Sequence, residues 1–335
     1  MRRIVSSAGP VSAAILMLSM LLLIAAGALA AGRSGPVVLM LNKSDDTVTF
    51  VDPKSLEILG KAPTGVGPHE VAVDAAGEFA YIANYGRQTP GGDLSIIDVR
   101  ARKAAGRIDL GKKCRPHGLA FGPGDRELWV TCEVDQVVMV VDVKNRKVLR
   151  TYPTGQDVTH MIVLTPDGRQ AFTANMGSNT VTVIDSRTGK VSQIQVGDGP
   201  EGIDITPNGK EVWVSHRNGG DLSIISTETH EILQTIQVGN FPIRVKITPD
   251  GQRALVSNMR GGDVAVFDTS TRELVKRIAL EEAPIGVLIT PDGKTGFVAN
   301  TAANAVTVLD LKTLKVAGTV KPGKEPDGLG WAAGI

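Results

Sequence analysis

Residues 200–226 read PEGIDITPNGKEVWVSHRNGGDLSIIS, and a version of this stretch recurs along most of the chain. It consists of three short apolar runs, the first two joined by the turn TPNG at 206–209. Proline presets φ at the first corner of a turn, and Asn followed by Gly tolerates the tight reversal. The same turn reads TPDG at 165–168, 248–251 and 290–293. Short apolar runs joined by such turns predict antiparallel β-hairpins.

A proline opens almost every repeat and fixes its register. The residue directly after this proline defines one equivalent position, whose seven occupants are His69, His117, His160, Glu201, Ile243, Ile285 and Asp327. The opening residues themselves are Pro68, Pro116, Thr159, Pro200, Pro242, Pro284 and Pro326. Successive occupants are 48, 43, 41, 42, 42 and 42 residues apart. A period near 40 that carries four short apolar runs predicts a β-propeller blade.

The repeat count predicts a single all-β domain over residues 36–335, a seven-bladed β-propeller with four-stranded antiparallel blades. The first blade begins at its second strand, and the chain ends with an innermost strand alone, at 327–332. We therefore expect the C-terminal strand to complete the N-terminal blade. Such closure protects the sheet edges that otherwise invite aggregation.

The second strand of each repeat carries a four-residue signature. It reads YIAN at 81–84, WVTC at 129–132, FTAN at 172–175, WVSH at 213–216, LVSN at 255–258 and FVAN at 297–300, with LMLN at 39–42. In these strands the chain resembles the YVTN-type β-propeller repeat family, over about nine tenths of its length. The resemblance implies the propeller fold but no single activity, because this scaffold serves binding proteins, surface proteins and enzymes. A lactonase activity is compatible with it, but no residue here is assigned to that chemistry.

Residues 1–30 have the pattern of an export signal. Arg2 and Arg3 precede an apolar stretch at 13–24, and the sequence ALA at 28–30 supplies the small residues of a cleavage site. This predicts a signal peptide over 1–30 and a periplasmic or secreted protein without a membrane span. The alternative is an uncleaved anchor, since residues 11–31 are about long enough to cross a bilayer.

The charge of the mature chain is close to neutral. Cleavage removes two arginines, so 36 Lys+Arg become 34 against 35 Asp+Glu, and the formal charge moves from +1 to −1. Such a balance offers no electrostatic basis for binding nucleic acid. We expect a small molecule or an envelope protein as partner, and a monomer or a subunit of a larger complex.

The residues at the equivalent position after the opening proline are expected on one face, near the axis. In a four-stranded meander the start of the innermost strand and the end of the second strand lie at the same end of the blade. Five consecutive blades then contribute polar side chains and the remaining two an apolar wall of Ile243 and Ile285. A few convergent polar groups beside an apolar surface are typical of a small-molecule or metal pocket.

This arc predicts a transition-metal site with His69, His117 and His160 as ligands. Neutral imidazoles with one or two carboxylates suit such metals, Cu or Zn first among them. Glu201 or Asp327 is then a fourth ligand, a general base or a carboxylate that orients a ligating ring. The alternative is that the histidines only line a solvated channel.

Two second strands end in a residue other than Asn, namely Cys132 and His216. In an exported protein with two cysteines, Cys114 and Cys132 are expected to form a disulfide. The alternative is that one or both of the thiolates of Cys114 and Cys132 join His117 as soft ligands, which would favour Cu. His216 either caps the strand end, as Asn does, or belongs to the site.

Two functions from different classes remain open at this point. The first is an exported propeller that binds a transition metal or small ligand at the axial histidines, with a metal-dependent oxidoreductase or lyase activity as one form of it. The second is a non-catalytic cell-envelope scaffold that binds a protein or glycan through the same face. The sequence has no C-x-x-C-H haem attachment, no G-x-S-x-G nucleophile motif and no phosphate-binding glycine-rich loop.

Overall fold

The computed structural model describes residues 35–112, 114–280 and 282–334. These residues form seven four-stranded antiparallel sheets arranged as the blades of a ring. The predicted all-β, seven-bladed propeller is therefore confirmed. The predicted signal peptide at 1–30 lies outside the described residues. None of the described residues forms a helix of the length and apolarity needed to cross a bilayer.

Twenty-eight strands make up the described ring, four to a blade. Blade 1 contains the first three strands and the last, which are β1 (Val37–Asn42), β2 (Thr47–Val51), β3 (Ile58–Pro63) and β28 (Pro326–Ala332). Blades 2 to 4 contain β4 (Pro68–Val73), β5 (Phe79–Gly86), β6 (Pro90–Asp98), β7 (Lys103–Asp109), β8 (Pro116–Phe121), β9 (Glu127–Cys132), β10 (Val137–Asp142), β11 (Lys147–Pro153), β12 (Thr159–Leu164), β13 (Gln170–Asn175), β14 (Thr180–Asp185) and β15 (Val191–Gln195). Blades 5 to 7 contain β16 (Pro200–Ile205), β17 (Glu211–His216), β18 (Asp221–Ser226), β19 (Ile232–Gln237), β20 (Pro242–Ile247), β21 (Arg253–Asn258), β22 (Asp263–Asp268), β23 (Leu274–Ala279), β24 (Pro284–Ile289), β25 (Thr295–Asn300), β26 (Ala305–Asp310) and β27 (Lys315–Val320).

The two ends of the chain share one blade, as expected. In blade 1 the strand order is β28-β1-β2-β3, so the C-terminal strand is innermost. Val38 pairs with Trp331 and Met40 with Leu329 in antiparallel register. Apolar clusters fill the space between blades, and the fully buried Trp129 and Trp213 are the largest side chains in them.

Each innermost strand starts with the same backbone feature. The residue before its first position has a positive φ in all seven blades: Gly67, Arg115, Val158, Gly199, Phe241, Ala283 and Glu325. The carbonyl of this residue accepts the N–H of the residue that follows the second strand, for example Arg217 on Gly199 at 2.9 Å. A β-bulge follows at once in each pair of strands. Because a bulge releases residues from the ladder and re-aims their side chains, the position after the opening proline can face the axis.

The third residue of the innermost strand alternates between glycine and a large side chain around the ring. Blades 1, 3, 5 and 7 have glycine, at Gly328, Gly118, Gly202 and Gly286. An added Cβ at any of them would lie 2.1 to 2.7 Å from a backbone carbonyl oxygen of the next blade. Blades 2, 4 and 6 instead carry Glu70, Met161 and Arg244.

These three side chains meet across the axis and plug the channel. An Arg244 Nη2 donates to Glu70 Oε1 on the far side of the ring, and its Nη1 lies 2.9 Å from Met161 Sδ. Arg244 is only 5% exposed. It lines both the cavity on the face of the histidines, of about 380 Å³, and a second cavity of about 240 Å³ beyond the plug. The axial pocket therefore has a closed floor.

Candidate metal site in the axial pocket

The axial pocket is lined by two rings of repeat-equivalent residues. All seven residues that follow the opening position line it, so the polar arc and the Ile243 and Ile285 wall come together as expected. The second ring consists of the residues that directly follow the four-residue signature of each second strand. Its members in the lining are Lys43, Tyr85, Met176, Arg217, Met259 and Thr301. The blade 3 member is Glu133, which reaches the arc from below the surface and is 6% exposed.

The three predicted histidines lie side by side in blade order. The rings of His117 and His160 are stacked with centroids 3.7 Å apart, and those of His69 and His117 meet edge to face at 5.5 Å. His117 and His160 are 4% and 7% exposed. His117 and His160 thus form a stacked pair that bulk water hardly reaches, while His69 at the edge of the cluster is partly exposed.

Glu133 ties this cluster together. Its Oε1 accepts a hydrogen bond from His160 Nδ1 at 2.5 Å, and its Oε2 accepts one from the Tyr85 hydroxyl at 2.7 Å. Tyr85 in turn stacks on His69 with ring centroids 4.3 Å apart. Ligand atoms of His117, Glu133 and His160 all lie within 4.8 Å of one another. This trio is the part of the arc that could hold a metal ion.

The predicted carboxylates flank the trio at either end of the arc. Glu201 Oε1 lies 3.8 Å from His160 Nε2, while its Oε2 accepts a hydrogen bond from Arg217 at 3.0 Å. At the other end, Asp327 Oδ2 lies 4.0 Å from His69 Nε2 and 3.1 Å from Lys43 Nζ. Both carboxylates are therefore already paired with a cation and within reach of a histidine.

The electrostatic environment shifts the pKa values of the three histidines in different directions. Burial lowers the pKa of His117 well below its ordinary value, and the neighbouring rings of His160 and His69 lower it further. Burial also lowers the pKa of His69, although the charge of Asp327 partly offsets this. Burial acts on His160 in the same direction, but the hydrogen bond and charge of Glu133, together with Glu201, outweigh it and raise the pKa. His117 is thus a neutral imidazole beside a His160 that holds its proton more tightly.

One atom of the cluster lacks a partner. His117 Nδ1 is buried and makes no hydrogen bond within the part of the chain that the structure describes. Buried polar atoms are nearly always satisfied, and one that is not costs about 1–3 kcal/mol. An unpaired, neutral and buried imidazole nitrogen beside a carboxylate is the kind of donor that a transition metal takes.

The structure places Cys132 and His216 away from the lining of this pocket. Cys114 and Cys132 are joined in a disulfide, and a bridged sulfur is not the thiolate that a metal binds. The fully buried His216 has its Nδ1 2.8 Å from Asp221 Oδ1. In another blade the Asn at this position makes the equivalent contact, as where Asn300 donates to Thr307 on the third strand. His216 therefore caps the strand end as Asn does.

The disulfide nevertheless supports the candidate site. Cys114 lies three residues before His117, and Cys132 directly precedes Glu133. The bridge therefore ties together the two segments that supply one histidine and the carboxylate of the trio. A loop of this size contributes on the order of 3 kcal/mol in the chain-entropy description.

Glu133 and Tyr85 were not predicted as site residues. The Asn side chains that end most second strands lie beside the pocket but bond within their own sheet, as Asn42 does with Thr49. The side chain one residue later faces the pocket, because its backbone N–H is bound by the carbonyl of the positive-φ residue before the innermost strand of the same blade. The signal was present in the repeat, since Glu133 and Tyr85 occupy the same position in neighbouring blades.

The fold and the site define a seven-bladed propeller with a His- and Glu-lined axial pocket. Comparison with known families matches residues 133–301, half of the chain, to the Cytochrome D1 heme domain. The chain belongs to this propeller family. It is also 23% identical over 208 residues to the uncharacterized protein YncE of Salmonella typhimurium, a match that spans 58% of each protein. The YVTN-type resemblance is confirmed by this match, and the chain is a YncE-like propeller.

Solved structures show the same fold at low sequence identity. A functionally unknown protein from Desulfotomaculum acetoxidans superposes with a TM-score of 0.76 at 17% identity, over 89% of this chain and 99% of that one. A chain of the Kuenenia stuttgartiensis hydrazine synthase superposes with a TM-score of 0.69 at 21% identity, over 78% of this chain and 88% of that one. These likenesses concern the architecture alone.

Proposed function

We propose that this protein is exported and binds one transition-metal ion, Cu or Zn, at His117, Glu133 and His160 in its axial pocket. The buried, unpartnered Nδ1 of His117 is the observation that carries the proposal. The basic start, apolar stretch and small-residue site of residues 1–30 support export. Two imidazoles and a carboxylate are ligands that both metals accept.

The distances suit a bare ion after small side-chain rotations. Bonds to Zn are about 2.0–2.2 Å, so two ligand atoms on one ion stand at most about 4.4 Å apart. The present limit of 4.8 Å within the trio exceeds this only slightly. The carboxylate of Glu133 and the proton on His160 Nδ1 now form a hydrogen bond, and a metal would take the place of that proton. We therefore expect metal affinity to fall as the pH is lowered.

The name of the family raises the question of a haem, and the residues here support an ion instead. Haem iron is held by an axial side chain above a flat macrocycle. The stacked rings of His117 and His160, 3.7 Å apart, leave no slot between them, and the two nitrogens of His160 face carboxylates, Nδ1 bonded to Glu133 and Nε2 at 3.8 Å from Glu201. The cavity of about 380 Å³ is at the lower end of the range that takes drug-sized ligands.

A bound divalent ion would supply Lewis acidity at the closed floor of the pocket. The surrounding side chains would keep the site dry and hold its ligands in place. Tyr85 donates to Glu133 and so orients that carboxylate, while Glu201 lies on the opposite side of His160 as an acceptor for a proton. A metal-dependent oxidoreductase or lyase reaction is compatible with this arrangement, and so is ligand binding without catalysis.

Metal analysis of the exported protein tests the proposal. The mature chain, purified without chelator and then titrated with Cu²⁺ and Zn²⁺, is expected to bind about one ion. His117→Gln and Glu133→Gln should each weaken binding at least about tenfold, because each removes a ligand with little change of shape. His230→Ala is the matched control, since His230 lies in a turn after β18, outside the pocket lining. No bound metal and no affinity on titration would refute the site.

A further inference from the structure

Hydrogen-bond donors in the axial pocket outnumber the acceptors that are left for them. The carboxylates of the arc already have partners: Asp327 pairs with Lys43 at 3.1 Å, and Glu201 pairs with Arg217 at 3.0 Å. Glu133 receives two hydrogen bonds, from Tyr85 and His160. Ligands complete a site by supplying what it lacks, and here the missing groups are acceptors.

The surplus of donors is concentrated at one side of the mouth. Arg260 lines the pocket with its guanidinium 3.9 Å above the centre of the Phe241 ring. Arg217 approaches the same ring, at 4.8 Å. Arg260 is an exposed residue without a carboxylate in salt-bridge range among the described residues, whereas Arg217 pairs with Glu201, so two guanidinium groups contact one ring and a single carboxylate is paired with one of them. Like charges repel each other at such a place unless an anion joins them.

An apolar surface lies directly beside these cations. Ile243 and Ile285, 7% and 6% exposed, form the wall that completes the ring opposite the polar arc. Met259 adds a flexible thioether to the same side of the lining. A ligand that fills this half of the pocket must bury an apolar body against the wall while its charged end faces the arginines.

We propose that the axial pocket takes a small monocarboxylate with an apolar body, its carboxylate bound by Arg260 and Arg217 and its body packed on Ile243 and Ile285. The guanidinium group is suited to this task because its fork of donors matches a carboxylate. This inference rests on the proposed function, since it names the ligand class of the metal-bearing pocket. The cavity of about 380 Å³ accommodates a molecule the size of benzoate.

Calorimetric titration with benzoate and with benzamide separates charge from shape, because the two probes have nearly the same size. The metal-loaded mature protein is expected to bind benzoate at least about tenfold more tightly than benzamide. Arg260→Gln should weaken benzoate binding about tenfold and leave the metal content unchanged. Arg169→Gln is the control, because Arg169 belongs to a turn outside this pocket and is well exposed.

The outcomes distinguish this inference from the proposed metal site. Equal affinity for both probes, no binding of either, or an unchanged affinity in Arg260→Gln would overturn the carboxylate subsite while leaving the metal result intact. Repeating the titration on chelator-treated protein tests the converse. If the protein takes up no metal but still binds benzoate in a way that depends on Arg260, the result would support the carboxylate subsite and refute the proposed metal site.

Discussion

Breaking the pair of Glu70 and Arg244 should destabilise the whole ring, because this pair joins blades 2 and 6 across the axis. Glu70→Gln preserves the shape of the side chain but leaves a guanidinium without its counter-charge at a place where it is 5% exposed. Removal of one partner of a buried ion pair costs roughly 3–5 kcal/mol. At about 2–4 °C per kcal/mol for a large domain, the melting temperature should fall by at least roughly 6 °C.

Arg244→Met should behave differently, because Glu70 can become neutral whereas a guanidinium cannot. Burial already raises the pKa of Glu70, and Arg244 is the main group that lowers it again. Without Arg244 the folded-state pKa rises further above the value in the unfolded chain. The stability that the neutral carboxyl allows is then fully present below the unfolded-state pKa and is lost as the pH rises through the folded-state pKa. The free energy of unfolding of Arg244→Met should thus be lower at pH 8 than at pH 5, whereas that of Glu70→Gln should lack this dependence.

Urea denaturation of both single variants and of the double variant measures these effects. The double variant Glu70→Gln/Arg244→Met has no charge at either position of the pair and should recover most of the loss, which gives a large coupling energy. Arg277→Gln is a suitable control, since its partner Asp263 lies at the surface and such pairs contribute at most about 1 kcal/mol. Single variants that lose less than about 1 kcal/mol of unfolding free energy would refute the plug. A double variant whose loss equals the sum of the two single losses would refute it as well.

Three further predictions concern the scaffold. Removal of residues 328–335 should lower the melting temperature of the entire domain in calorimetry, because β1 then becomes an open edge; an unchanged temperature would contradict closure by β28. The repeat turns hold Asp167, Asp250 and Asp292, whose pKa values are lowered by a threonine hydroxyl and by a backbone N–H. Their stabilising effect is present above the unfolded-state pKa and is lost as the pH falls through the lower folded-state pKa. Changing all three to Asn, which blade 5 already has at this position, should therefore make the free energy of unfolding less dependent on pH below about pH 4. A pH dependence as steep as that of the unchanged protein would contradict this role. Val158→Gly should raise the free energy of unfolding by about 1 kcal/mol in urea melts, since a β-branched residue there has φ 54°, and a loss of stability would show that the strain is absent.

The arc of histidines and carboxylates could be predicted because it is a property of the repeat. Once the opening prolines set the register, His69, His117 and His160 had to fall at one place in successive blades. The structure brings them together in that order, with His117 and His160 in stacking contact. Periodicity in the sequence is converted directly into position around the axis, because each blade repeats the same path of the chain.

The role of Glu133 could not be predicted in this way, since it depends on which of two neighbouring residues turns inward. The local pattern does not show which of Cys132 and Glu133 turns inward; Cys132 was considered for the pocket only as the alternative to its disulfide, and Glu133 was not considered. The disulfide, the hydrogen bond of Glu133 to the carbonyl of Arg115 and the bulge in β8 together decide the orientation. These contacts join residues 18 positions apart across the β8–β9 hairpin, so a four-residue strand pattern does not contain them.

The sequence by itself determined the number of blades, the order of the strands, the shared blade that closes the ring and the face on which the polar residues lie. Those properties follow from turns and apolar runs that act over a few residues and repeat. Only the tertiary structure decided that Glu70, Met161 and Arg244 plug the axis and that Glu133 joins His117 and His160. The plug links non-neighbouring blades and exists only after the ring closes, whereas the place of Glu133 depends on how the β8–β9 hairpin turns its side chain toward the adjacent blade 4.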